Sequence, residues 1–311
     1  MPITTSCAAA TRRARIAVLT ALVALLCALT ASSARADLPV VYNFTAAAAA
    51  GVIAPDADPL GANDWSCRPS RAHPQPVVLV HGTVENKLMN WSALSPLLKN
   101  NGYCVFALNY GEYQPGPFKG LSRISDSAAE LGAFIGRVLS ATGASEVDLV
   151  GHSQGGMMPR WYLKFDPNGP ARVRTLVGLT PSNHGTTLLG LSTLGRFIPG
   201  VSAILSAGAP ALEDQRIGST MNRTLDAGGD TIAGVNYVVI ASTYDEVVTP
   251  YTNSYLRGAT NINLQSGCII NFTDHLGVSY DRRALRMTLN ALDPANARTP
   301  ACVPTLPGVG G

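Results

Sequence analysis

The stretch that most constrains this chain runs from Val147 to Gly156 and reads Val-Asp-Leu-Val-Gly-His-Ser-Gln-Gly-Gly. An apolar run ending in Gly-His-Ser-Gln-Gly fits G-x-S-x-G, the sharp strand-to-helix turn that lifts a serine hydroxyl to the top of a sheet. A turn that tight brings the next helix against the strand and leaves no room for a Cβ at Gly151 or Gly155. A bare match also occurs in ordinary glycine-serine turns. Here a buried-type strand precedes it and a helix-capable segment, Met157 to Phe165, follows, which is the context the motif requires. Ser153 is therefore the candidate nucleophile.

The N-terminus has the layout of an export signal: Arg12, Arg13 and Arg15, an apolar run from Ile16 to Ala31, then Ala34-Arg35-Ala36 as a cleavage site. The mature chain is expected to start at Asp37. The apolar run is short for a membrane span, and no later stretch reaches the ~20 residues a span needs. An uncleaved anchor is the alternative. Thr11-Arg12-Arg13 has the twin arginines of a folded-protein export signal, yet Arg15-Ile16 is not the hydrophobic pair expected next, so the export route stays open. Loss of residues 1–36 removes four arginines and no acidic residue, which leaves 19 basic against 20 acidic residues and a net charge of −1 instead of +3. The basicity belongs to the leader, and no nucleic-acid footprint remains. The remaining 275 residues suffice for one large core.

Four cysteines survive processing: Cys67, Cys104, Cys268 and Cys302. In an exported chain an even count implies disulfides, and the absence of C-x-x-C or a nearby histidine pair argues against a metal site. The expected bonds are Cys67–Cys104 and Cys268–Cys302, because each closes a local loop and ties the N-terminal extension or the tail to the sheet. Such closures contribute about 3–4 kcal/mol each in the chain-entropy model.

Along the mature chain, residues 37–75 are rich in Ala, Pro, Gly and Asp without a sustained period, and they read as a surface-hugging extension. Pro76 to Val80 is a continuous apolar run typical of a strand buried on both faces. Asn90 to Asn100 reads as a helix, Cys104 to Leu108 as a strand, and Ile124 to Leu139 keeps helical spacing up to Gly143. Val173 to Leu179 and Asn236 to Ser242 are further strands, with Ile262 to Leu264 a candidate strand and Tyr280 to Leu292 a final helix. This alternation implies an α/β fold: a mostly parallel central sheet with helices on both faces. The expected organisation is a signal at 1–36, an extension at 37–60, a catalytic domain at 61–292 and a Pro/Gly-rich tail at 293–311. Residues 186–234 break the rhythm and read as an irregular substrate-side insertion.

A serine hydroxyl needs a base, and the base needs an orienting carboxylate. Where the order is Ser, then acid, then His, only His275 of the five histidines follows a plausible acid-bearing strand end. His184 then reads as a structural loop histidine, and His152 adjoins Ser153 and should point elsewhere. Asp245 is the expected acid because it comes first after the Asn236–Ser242 strand, with Glu246 the near competitor. The oxyanion donors are expected from the backbone of Gln154 and Thr83, with the Thr83 hydroxyl as a third. Residues 186–212, including Leu188, Leu189, Phe197 and Ile198, carry hardly any charge and are expected to wall an acyl pocket, an ordinary helix packed on the sheet being the alternative.

His81-Gly82-Thr83, Gly151 to Gly156, Thr180 to Thr186, Tyr244 to Pro250 and Asp274-His275 together resemble the secreted bacterial triacylglycerol lipases and esterases, especially the actinobacterial type. The likeness spans about residues 61–292. It implies an α/β-hydrolase fold and ester hydrolysis outside the cell, with Ser153, Asp245 and His275 as the triad and no cofactor or metal. The expected partners are an ester or lipid substrate and transient contact with a lipid interface; the expected state is a monomer. A secreted acyltransferase using the same triad, and a non-catalytic binding module on a hydrolase scaffold, are the rival functions.

Overall fold

A computed structural model describes residues 36–198 and 200–311, without the side chains of residues 188, 189, 196 and 197. Leu38–Gly311 forms one body, and the export-signal reading lies outside the described residues. Six strands build one sheet: β1 (Val77–Val80), β2 (Val105–Leu108), β3 (Val147–His152), β4 (Val173–Leu179), β5 (Asn236–Ala241) and β6 (Thr260–Asn263). Their spatial order is β2-β1-β3-β4-β5-β6 and every neighbouring pair is parallel.

The helices are α1 (Phe44–Ile53), α2 (Lys87–Trp91), α3 (Leu94–Asn100), α4 (Ile124–Thr142), α5 (Gln154–Phe165), α6 (Gly169–Arg172), α7 (Leu188–Phe197), α8 (Val201–Ala207), α9 (Pro210–Asp214), α10 (Thr220–Asp226) and α11 (Arg282–Leu292). They cover both faces, which is why the strands lack polar alternation. Along β1, Val77 and Leu79 join the apolar cluster containing Trp91, Leu94 and Leu285, while Val78 and Val80 join the cluster containing Ile124, Leu131 and Met157. All four β1 residues are fully buried. Each such side chain contributes about 1.5–3 kcal/mol, so β1 is fixed by two cores at once.

The chain moves from β1 outward to β2 and then returns to place β3 on β1's other side. That reversal opens a crevice at the carboxyl ends of β1 and β3, the place where open parallel sheets bind ligands. Val80 lies opposite Gly151, so Gly82-Thr83 and Ser153 emerge side by side at this switch point.

Three readings of the sequence need correction. The stretch read as irregular between 37 and 75 contains α1, capped by the Asn43 side chain accepting from Ala46 N at 2.9 Å. Its run of alanines has high helix propensity but no apolar period, so a periodicity argument passes over it. The single helix over 90–100 is two helices, α2 and α3. Pro96 has no N–H to give to the carbonyl of Ser92, which is where the first helix ends. The 186–234 stretch is not irregular: it carries α7, α8, α9 and α10. The disulfides Cys67–Cys104 and Cys268–Cys302 are both present as expected.

Candidate active site

Ser153 sits between β3 and α5 with φ +54° and ψ −124°, a conformation L-residues rarely adopt. Steric demand from its neighbours enforces it. A Cβ on Gly151 would lie 1.8 Å from the Gly155 carbonyl oxygen, and one on Gly155 would lie 2.1 Å from the Val80 carbonyl oxygen. Among the described residues, positive φ at non-glycine positions occurs at Asn63, Val84, Ser153 and Thr180. Val84, Ser153 and Thr180 follow β1, β3 and β4, so backbone strain concentrates on one edge of the sheet, as it does at functional sites.

That edge also carries the carboxylate and the imidazole. Asp245 follows β5, and His275 lies in the loop between β6 and α11. Asp245 Oδ2 is 2.9 Å from His275 Nδ1, and both side chains are almost fully buried. Asp245 Oδ1 accepts from the backbone N–H groups of Val247 at 2.9 Å and Val248 at 2.7 Å, which fixes the carboxylate's orientation. The carboxylate requires a donor at Nδ1, so the neutral ring has a bare Nε2, and that atom is buried without a hydrogen-bond partner among the described residues. Burial disfavours the imidazolium, but Asp245 outweighs it by charge and hydrogen bond, so the His275 pKa lies above the ordinary imidazole value.

Glu246 does not compete for the ring. Its Oε2 accepts from the backbone N–H of His275 at 3.2 Å, and burial, with Asp274 and Asp245 adding repulsion, pushes its pKa up to about 7. The His275 loop has further braces. Ser242 Oγ donates to the Thr273 carbonyl, Asp281 accepts from Thr273 Oγ1 and Asn271 Nδ2 at 2.7 Å each, and Cys268–Cys302 joins this loop to the tail.

Thr83 and Gln154 both lie at the switch point and both are buried. The Thr83 hydroxyl, expected as a third donor to an oxyanion, instead donates to Gln154 Oε1 at 2.8 Å. Gln215, which sequence reasoning missed, organises this pair. Its Nε2 donates to Thr83 Oγ1 at 2.9 Å and to Gln154 Oε1 at 2.8 Å, while its Oε1 accepts from Ser182 Oγ at 2.9 Å. Gln215 belongs to no motif and follows a short helix inside the supposed insertion, so no local signal marks it.

The other histidines are engaged elsewhere. His73 stacks on Tyr103 at 3.9 Å and His81 on Tyr110 at 4.3 Å; burial holds His81 down at about 4, so it stays neutral. His184 Nδ1 lies 3.0 Å from Asp226 Oδ2, with Asp230 close by, a grouping that could hold a cation. The Arg160 guanidinium already supplies one. It reaches Asp226 at 3.3 Å and donates to the Asn183 carbonyl at 2.8 Å, so this cluster is an ion-pair latch between α5 and the segment before β5. Burial raises Asp226, but His184 and Arg160 outweigh it and hold its pKa below the usual carboxylate value.

Of the expected pocket residues, the side chains of Leu188, Leu189 and Phe197 lie outside the described residues, and Ile198 is fully buried in the core beside Leu194 and Val201. A cavity of about 430 Å³ between α7, α8 and α9 is lined by Leu191, Leu205, Ala209 and Leu212, among others. Another of about 800 Å³ opens at the amino ends of β5 and β6, the far end of the strands from Ser153.

An all-parallel sheet with a strained serine at its switch point is the arrangement of the α/β-hydrolases, and the likeness to a solved structure supports that class. The chain superposes on lipase B of Aspergillus fumigatus with a TM-score of 0.57, covering 78% of this chain and 57% of that one at 22% identity. This chain belongs to the lipase (class 2) family, whose model matches residues 74–276. It is 34% identical over 108 residues to triacylglycerol lipases of Pseudarthrobacter phenanthrenivorans and Burkholderia plantarii, a match covering 32% of this chain and 32% and 28% of theirs. The aligned region thus spans about a third of the length of those bacterial relatives. Similarity to lipase B of Pseudozyma antarctica is 27% over 248 residues, covering 74% of this chain and 67% of that protein.

Proposed function

We propose that this protein is a secreted carboxylic-ester hydrolase that cleaves acylglycerol-type esters through Ser153, His275 and Asp245. The observation that carries the reading is the Asp245–His275 hydrogen bond, which leaves Nε2 of the base bare on the sheet edge where the elbow presents Ser153. Ser153 Oγ attacks the ester carbonyl while His275 Nε2 takes its proton. Asp245 stabilises the imidazolium, and the backbone N–H groups of Gln154 and Thr83 donate to the oxyanion. The alcohol departs with the proton from His275, and water, deprotonated by the same nitrogen, then releases the acid. The apolar α7–α8 segment supplies the acyl wall.

Export fits a chain with two disulfides, which persist in oxidising surroundings. We place the leader at 1–36, the extension at 37–60 and the catalytic body at 61–292, working as a monomer on lipid or small esters. Hydrolysis of a p-nitrophenyl ester series of increasing chain length tests the activity. The wild type should turn over these esters. Ser153→Ala and His275→Ala should each lose at least about a thousand-fold in kcat while remaining folded, because members of one catalytic unit fail together. Undiminished hydrolysis by Ser153→Ala would refute the assignment.

A further inference from the structure

Two buried ionisable residues at the switch point have no part in that mechanism. Glu85 and His152 are each about 1% exposed, and Glu85 Oε2 lies 2.9 Å from His152 Nδ1. Each also grips the backbone of a loop that matters. Glu85 Oε2 accepts from Gly82 N at 3.0 Å, on the loop that carries Thr83. His152 Nε2 lies 2.9 Å from the backbone carbonyl oxygen of His275. The chain from Gly82 N through Glu85 and His152 to His275 O is continuous.

The partners fix where the protons are. A carbonyl oxygen only accepts, so His152 Nε2 must carry hydrogen. Between Nδ1 and Glu85 there is then one further proton: either the ring is an imidazolium facing a carboxylate, or Glu85 is a neutral acid donating to a bare Nδ1. Both forms leave the pair without net charge. Asn90 joins the same cluster: its Oδ1 accepts from Gly82 N at 2.9 Å, and its Nδ2 lies 3.2 Å from His152 Nδ1.

We infer that Glu85 and His152 form a positioning strut that sets the oxyanion loop and the base loop against each other. The inference rests on the reading of Ser153 and His275 as the working pair. Neither strut residue touches substrate; each acts through a backbone group of the residue it holds. A misplacement of about 1 Å can cost roughly a hundred-fold in rate.

The test compares Glu85→Gln, Glu85→Leu and His152→Phe in the full, oxidised chain, with kcat counted per site titrated by a fluorophosphonate. Gln cannot ionise, yet its amide NH₂ still donates to His152 Nδ1, and Gly82 N keeps Asn90. Glu85→Gln should hold kcat within about five-fold of wild type. Glu85→Leu and His152→Phe should each lose about 10- to 100-fold in kcat per titrated site with KM within about three-fold, and the double variant should lose no more than either single. A Glu85→Gln loss as deep as that of Glu85→Leu would overturn the hydrogen bond between residues 85 and 152 as the link of the strut. Wild-type kcat per titrated site in both Leu and Phe variants would overturn the strut. Failure of the probe to label Ser153 in the wild type would overturn the active-site reading itself, a result separate from these. Should Glu85→Leu fail to fold, His152→Phe, which keeps a planar aromatic ring at that position, carries the same comparison.

Discussion

Replacement of Glu246 by Gln should make the folding stability of the protein less sensitive to pH. Among the described residues the Glu246 carboxyl is held by a hydrogen bond to the His275 backbone N–H, and its Oε1 is buried with no partner. Burial raises its pKa from an ordinary 4.5 to about 7, so between those values the folded protein holds a proton that the unfolded chain has released. Folding stability from this group is therefore present at acid pH and is lost as pH rises through that window. At 1.36 kcal/mol per pH unit the loss amounts to about 3 kcal/mol. Gln retains an oxygen to accept from His275 N and does not titrate. Urea unfolding with both disulfides intact, at several values from about pH 5 to about pH 8, would measure the stability difference. The variant should gain about 3 kcal/mol relative to wild type across that range, on the order of 6–12 °C in Tm, most of it between about pH 5 and pH 7. Parallel stability curves would show that Glu246 ionises freely and that the buried-acid argument is wrong.

Gln215→Leu should lower kcat by about ten-fold or more with little change in KM, since it removes the donors that hold Thr83 and Gln154 together; steady-state kinetics on one ester decides this, and an unchanged kcat would remove Gln215 from the site. The raised pKa of His275 places the acid limb of kcat/KM above the ordinary imidazole value of 6.5, because the base must be neutral to accept the serine proton. Asp245→Asn should move that limb to lower pH while depressing the plateau. A limb that stays fixed in Asp245→Asn would assign the titration to another group.

Local sequence determined a good deal here. Unbroken β-branched runs could only be strands covered on both faces, and the contacts of absent Cβ atoms at Gly151 and Gly155 show why the elbow needs those glycines. Order along the chain singled out Asp245 and His275, and loop length singled out the disulfide pairs, because each of these follows from short-range geometry or topology. The tertiary structure decided the rest, for a physical reason that recurs. Gln215 meets Thr83 across 132 residues, Glu85 meets His152 across 67, and Asp226 meets His184 across 42. A glutamine or glutamate in a short helix or loop carries no local sign of which partner it will meet or how deeply it will be buried. Only the folded chain sets those two quantities, and they decide whether such a side chain is a solvated surface group, a latch or a strut beside the reacting atoms.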